Sequence, residues 1–189
     1  FSMGIITGAT LASRFLPRFG PRMVMVTGLV LAAGGLFLFS TLDVTSTYLS
    51  VVLPAELIVS LGMGMAFVTL SSTALIGVHP EDAGVASALV NSTQQTGGSL
   101  GAALINTIAT TATASFIVAH GHTPAALEAG AIHGYTTAFT FSGIVLATAA
   151  VTSFALIRRA RHQEQPVGTL DDKIFVEENE AVALAGAGV

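Results

Sequence analysis

The sequence predicts an all-α integral membrane protein, a polytopic bundle of transmembrane helices. Of its 189 residues, 52% are hydrophobic and only 10% are charged, and the mean hydropathy is +0.76. A soluble domain averages about 25% charged residues, so the composition suits a bilayer better than water. The apolar residues also form long runs, and about 20 apolar residues span a ~30 Å hydrocarbon core as a helix. These runs lack the alternation of polar and apolar residues that is typical of a membrane β-barrel strand.

Four of these runs are long enough to form complete membrane helices. We expect them over residues 23–42, 48–76, 85–117 and 135–157. An apolar stretch over residues 1–12 precedes them, but at ~1.5 Å per residue it covers only about 18 Å of a ~30 Å core. We interpret it as the second half of a helix, and the chain as the C-terminal part of a longer protein. Residues 158–189 are polar and largely acidic, which predicts a disordered tail.

The positive charges indicate how these helices are oriented. If the loop over residues 13–22 lies inside, residues 43–47 and 118–134 form outer loops and residues 77–84 form an inner loop. All 7 Lys and Arg residues then lie on the inner side, and both outer loops lack them. Cytoplasmic flanks of membrane helices are enriched in Lys and Arg. We therefore expect a multi-pass protein of the cell membrane with its C-terminal tail in the cytoplasm.

The inner loop over residues 13–22, SRFLPRFGPR, also carries a motif. Its distinctive residues are Arg14, Arg18, Gly20 and Arg22. The stretch resembles the cytoplasmic signature loop of the major facilitator superfamily, Gly-x-x-x-Asp-Arg-x-Gly-Arg-Arg or Lys, which Arg18, Gly20 and Arg22 match. Pro17 stands where that pattern has its aspartate, so the acidic partner of the family's conformational latch is missing and we assign no latch here.

Two later stretches extend the resemblance. HPEDAGVASALVNSTQQTGGSLGAAL (79–104) and LPAELIVSLGMGMAFV (53–68) look like the final helices of the fourteen-helix drug:proton antiporter branch of that superfamily. The resemblance covers residues 1–157 and implies half of helix ten followed by helices eleven to fourteen, the C-terminal part of a major facilitator fold.

The function that the resemblance implies is proton-coupled multidrug efflux by alternating access. The partners would be the missing N-terminal half of the same transporter, hydrophobic small molecules, protons and membrane lipids. A major facilitator transporter for one specific metabolite and a non-transporting membrane scaffold remain alternatives.

The third predicted span has one polar face. Its large amides, at helical steps of three or four, are Asn91, Gln94, Gln95 and Asn106. The resemblance implies that this helix and the one before it line the central cavity, so these residues are candidates for the substrate pathway. Hydrogen bonding between helices is the alternative. Gly97, Gly98 and Gly101 recur on or beside the same face and suit close helix packing.

Glu56 is the one ionisable side chain well inside an apolar run. If the helix begins near Tyr48, Glu56 lies ~12 Å along it, near mid-depth of a ~30 Å core. A carboxylate there is costly unless it is protonated, paired or in contact with water. We treat it as a candidate for the proton pathway, with a neutral glutamate bonded to a neighbouring helix as the alternative. Pro54, Gly62 and Gly64 flank it and would allow bending or close packing.

The sequence carries no pattern typical of catalysis. It has no cysteine and no recognisable nucleophile–base pair, phosphate-binding loop or metal cluster. We therefore expect no enzyme activity, no cofactor, no metal and no nucleic-acid partner. The nearest approach to a metal site is His120, His122 and His133 with Glu128, and histidines of flexible loops usually bind nothing specific.

Overall fold

The chain forms four long helices and no strand within residues 1–156, the part that this computed structural model describes. They are α1 (Ser2–Phe39), α2 (Leu53–Ala74), α3 (Ala83–His120) and α4 (Pro124–Leu156). A π-helical turn, Tyr48–Val52, leads into α2, and a 3₁₀ turn, Pro80–Asp82, leads into α3. Each helix is long and apolar enough to cross a membrane. The all-α prediction is confirmed; the expected tail over residues 158–189 lies outside the described residues.

α1 is interrupted at a single residue. Gly20 has φ 77° and ψ 162°, which separates a helical segment over residues 2–19 from a second one over residues 21–39. Pro21 begins the second segment, where a missing N–H removes no hydrogen bond. The ten-residue loop expected over residues 13–22 is therefore wrong in extent, because one glycine in a left-handed conformation is enough to redirect the chain. We call the end of the bundle that carries residues 14–22 the arginine end.

α2 runs parallel to the first segment of α1. Near the start of both, Gly4 lies against Ser60. Closer to the arginine end, Ala12 packs with Met65 in a buried cluster. These small side chains let the two backbones approach closely, as is common where membrane helices pack.

α2 also runs antiparallel to the second segment of α1. Gly28 faces Ala66 near the arginine end, and Gly35 faces Val59 further from it. α2 therefore packs against both segments of α1, and this contact forms the centre of the structure.

α4 packs against the second segment of α1 from another side. At the arginine end, the guanidinium carbon of Arg22 lies 3.9 Å from the centroid of the Phe154 ring. At the other end of the segment, the rings of Phe39 and Phe139 stack at 4.9 Å. The two helices are thus antiparallel over the whole length of residues 21–39.

α3 and α4 continue beyond the end of α1. Phe139 lies beside the last residue of α1, so residues 124–138 of α4 extend about 22 Å further at ~1.5 Å per residue. There α4 pairs with the C-terminal half of α3: a β-carbon on Gly134 would clash with Ala109 and Thr113.

This hairpin corrects the predicted outer loop over residues 118–134 and the predicted helix start at residue 135. α3 ends at His120 and α4 begins at Pro124, which leaves only residues 121–123 between them. The Thr123 hydroxyl accepts a hydrogen bond from the Ala126 N–H at 3.2 Å, and a proline in the first helical position suits a helix start. The hydropathy pattern did not reveal this helix start, because hydropathy reports the length of an apolar run and not the residue at which a helix begins.

Candidate transport pathway

Glu56 lies in the first turn of α2. The Tyr48 hydroxyl donates a hydrogen bond to its Oε2 at 3.3 Å, and its Oε1 lies 3.3 Å from the backbone nitrogen of Phe1. The Glu56 side chain is 29% exposed. The adjacent Val59 faces Gly35, about one helical turn before the end of α1. Glu56 is therefore closer to the end of the α1–α2 pair than the mid-depth that the helix start suggested.

The contact between Tyr48 and Glu56 depends on the π-helical turn. The Leu53 N–H donates to the carbonyl of Tyr48, five residues earlier. A π turn holds more residues than an α turn, so one turn of each kind takes about eight residues. Tyr48 and Glu56 are eight residues apart and consequently stack on one side of the helix. Pro54 follows directly, and a wider turn relieves the crowding between its ring and the Ser50 carbonyl.

Two of the predicted amides face the end of α2. Asn91 and Gln94, with Ser87 and Val90 of α3, line a cavity of about 160 Å³ at the arginine end, opposite Ser71 of α2 and Leu75 directly after it. Gln95, the next residue along, is exposed. The structure thus brings Asn91 and Gln94 to one cavity and leaves Gln95 outside it.

Asn106 belongs to a different cavity. It lies about 22 Å along α3 from Asn91 at ~1.5 Å per residue, and with Thr110 and Tyr135 it lines a space of about 350 Å³ between α3 and α4. Glu56 is separated from the Asn91 cavity by a similar length of α2. The described residues therefore place the predicted polar groups in three separate places rather than in one site.

The glycines predicted to serve in packing or bending fall into two groups. Gly62 and Gly64 are buried, and a β-carbon on either would meet the backbone of α1. Around Gly97, Gly98 and Gly101, no atom of another described element lies within 4 Å of where a β-carbon would be. The first group closes the α1–α2 contact, whereas the second lies on a part of α3 that is open within residues 1–156.

The open part of α3 comprises residues 83–105. Within the described chain, Ala109 is the only buried residue of this 38-residue helix. α1 and α2, by contrast, each contribute at least seven buried residues. Apart from the cavity that Asn91 and Gln94 share with the end of α2, the N-terminal part of α3 therefore faces space that no described element fills.

The arginines of the signature loop differ in their surroundings. Arg22 is partly buried against Phe154, and its Nε has no hydrogen-bond partner among the described residues. Arg14 and Arg18 are exposed. Sequence reasoning missed the Arg22–Phe154 pair because the two residues lie at opposite ends of the chain and share no motif.

Of the histidines in the predicted outer loop, His120 is the last residue of α3, His122 lies between the helices and His133 lies within α4. His120 stacks on Phe116 with ring centroids 4.1 Å apart, and Phe116 lies 5.3 Å from His133 on α4. Across residues 1–156, no three His, Asp or Glu side chains come together as a metal site would require. These rings pack the hairpin of α3 and α4.

Comparison with known proteins identifies the family. A model of the Major Facilitator Superfamily matches residues 1–102, more than half of the chain. The chain belongs to the major facilitator superfamily. The resemblance drawn from the signature loop and the later helices is thereby confirmed, and with its long apolar helices this major facilitator chain is a multi-pass membrane protein.

Relatives within the major facilitator superfamily are named for antibiotic resistance and export. The chain is 44% identical over 158 residues to a puromycin resistance protein of Streptomyces alboniger, which covers 82% of this chain and 31% of that protein. It is 37% identical over 87 residues to a cephamycin export protein of Amycolatopsis lactamdurans, 46% of this chain and 18% of that one. It is 36% identical over 106 residues to a tetracenomycin C resistance and export protein of Streptomyces glaucescens, 55% and 19% of the two chains. The chain spans about a third or less of the length of these relatives.

Proposed function

We propose that this chain is the C-terminal segment of a proton-coupled multidrug efflux transporter, and not an enzyme. The observation that carries the proposal is its similarity, 44% identity over 82% of the chain, to a puromycin resistance protein. The complete protein would work by alternating access, in which two halves rock about a central site. The C-terminal tail would lie in the cytoplasm, as the distribution of Lys and Arg indicates.

The open part of α3 supports this role. Asn91, Gln94 and Gln95 lie on a helix whose N-terminal part has almost no described neighbours, beside the buried bundle of α1 and α2. Uncompensated amides are costly in lipid, so a wet cavity or another part of the protein would suit them better. In the proposed transporter this part of α3 and the end of α2 form one wall of the substrate cavity, facing the N-terminal half.

The efflux proposal is tested with puromycin as the probe. The full-length protein, expressed in a puromycin-sensitive host, should lower intracellular puromycin, and a protonophore should abolish the effect because it removes the proton gradient. Other hydrophobic antibiotics should compete with puromycin for export and so raise its intracellular level. Unchanged accumulation would contradict efflux, and export of a single metabolite with no competition would favour the specific transporter instead.

Glu56 is our candidate for the proton-carrying group. It is the one acid within the α1–α2 bundle, and it lies on a helix that we place at the cavity with Tyr48 as its hydrogen-bond donor. Glu56→Gln keeps the size and hydrogen-bonding capacity of the side chain but cannot titrate. In the full-length protein this change should remove most drug-induced proton release while membrane insertion is retained.

The matched control is Glu128→Gln. Glu128 is an exposed acid near the start of α4, so the same chemical change there should leave drug-induced proton release near the wild-type level. If Glu56→Gln also keeps the wild-type ratio of protons to drug, Glu56 is a structural or substrate-contacting residue. That result would leave efflux itself standing, because the puromycin measurement does not depend on Glu56.

A further inference from the structure

An apolar groove lies at the break in α1. It has a volume of about 500 Å³, and its walls come from both segments of α1 and from α2. Phe15 and Phe19 contribute from the first segment, Met23 and Thr27 from the second, and Met65 from α2. Phe15, Phe19 and Met23 remain 39–55% exposed. The groove therefore offers a substantial apolar surface that the described residues leave uncovered.

Two cations are sequence neighbours of residues in the wall of this groove. Arg14 and Arg18 are one helical turn apart. Each directly precedes a wall residue, Phe15 or Phe19, and so lies on the neighbouring face of the same helix. The guanidinium carbon of Arg18 lies 5.7 Å from the centroid of the Phe19 ring, which forms part of the wall. Both arginines are exposed, and neither forms an ion pair within the described chain. Within residues 1–156, positive charge without an acidic partner therefore lies next to residues of the groove wall.

We propose that this groove binds an anionic phospholipid. One acyl chain lies between Phe15, Met23 and Met65, and the phosphate lies against Arg14 and Arg18. Apolar surface is stabilised by contact with an acyl chain rather than with water, and the planar guanidinium groups match a phosphate in geometry and charge. Basic clusters at the end of membrane helices attract anionic headgroups, so charge and apolar surface select the same ligand.

The proposal is tested by lipid titration of the full-length protein, followed by native mass spectrometry. Phosphatidylglycerol and phosphatidylcholine with identical acyl chains are compared, so that only the headgroup charge differs. We expect phosphatidylglycerol to bind about tenfold more tightly, since two basic side chains attract its net charge. Equal affinities, or a groove that retains no lipid because another part of the protein covers it, would overturn the proposal.

Charge variants locate the headgroup. The double variant Arg14→Gln/Arg18→Gln should reduce phosphatidylglycerol affinity to that of phosphatidylcholine, whereas Arg14→Lys/Arg18→Lys should keep most of the preference. Arg161→Gln/Lys173→Gln removes the same number of charges from the tail and should keep the whole preference. A preference that survives in the first variant, or that falls equally in the tail variant, would contradict a headgroup site at Arg14 and Arg18.

A groove variant locates the acyl chain. Thr27→Trp places a large ring in the groove, and it should weaken both lipids by a similar factor without removing the preference for phosphatidylglycerol. Excess inorganic phosphate should not displace the lipid. Unchanged lipid affinity in Thr27→Trp, or displacement by phosphate alone, would show that the acyl chain does not occupy the groove. A thermal melt of every variant distinguishes lost binding from lost folding.

Discussion

Replacing Gly62 by alanine tests the close approach of α2 to α1. A β-carbon at Gly62 would lie 2.5 Å from the Gly28 carbonyl oxygen and 2.5 Å from the Ala32 backbone nitrogen. Non-bonded heavy atoms are comfortable at about 3.5–4.0 Å, so the two helices must separate by roughly 1 Å. Both opposing atoms belong to the backbone, and rotation of a side chain therefore cannot relieve the contact.

The expected loss of stability follows from two opposing effects. An extra methyl group in a closely packed interface costs about 1–3 kcal/mol, while alanine in place of glycine within a helix gains up to about 1 kcal/mol. Gly34→Ala provides the matched control, because no atom of another described element lies within 4 Å of its β-carbon position. The propensity gain is common to both variants, so their difference, about 1–3 kcal/mol, isolates the packing contact.

The assay is reversible unfolding of the full-length protein in mixed micelles of increasing sodium dodecyl sulfate content. Gly62→Ala should unfold at a lower detergent fraction than the wild type, and Gly34→Ala at an equal or higher one. If the two variants unfold at the same detergent fraction, the helices are not in backbone contact at Gly62, and the α1–α2 packing described above is wrong.

Two further predictions test the break in α1 and the orientation of the chain. Gly20→Ala should destabilise the protein by about 1–2 kcal/mol, since φ is 77° at this position and a β-carbon disfavours it; stability equal to that of Gly34→Ala in the same assay would argue against the break. The chain has no cysteine, so a single introduced cysteine reports on which side of the membrane its position lies. Ala125→Cys should react with an impermeant thiol reagent added outside cells, and Gln163→Cys should not. The reverse pattern would invert the proposed topology.

The helical class and the family could be read from the sequence because their signals are local. Runs of apolar residues report a membrane helix whatever its neighbours are, and the spacing of Arg18, Gly20 and Arg22 lies within a few residues. A turn within residues 13–22 was also predicted, since Pro17, Gly20 and Pro21 disfavour one continuous helix, although the structure confines it to Gly20.

Helix ends and long-range contacts were not accessible in this way. The start of α4 depends on the Thr123 cap within a polar stretch that hydropathy assigns to a loop. The pairing of Tyr48 with Glu56 depends on a π turn that changes the number of residues per turn. The depth of Glu56 in turn depends on where α1 ends, and that is a property of the fold.

Because Gly20 alone separates the two helical segments of α1, no loop between them can absorb a change in chain length. A single residue inserted between Gly20 and Gly28 would rotate everything after it by about 100° around the helix. The glycines at positions 28 and 35 would then point away from α2, and bulkier neighbours would take their place against its backbone. Insertions and deletions should therefore be rejected here during evolution, while point changes on the exposed faces accumulate. The link over residues 40–47, which connects α1 to the π turn without a regular helix, can vary in length without disturbing that alignment.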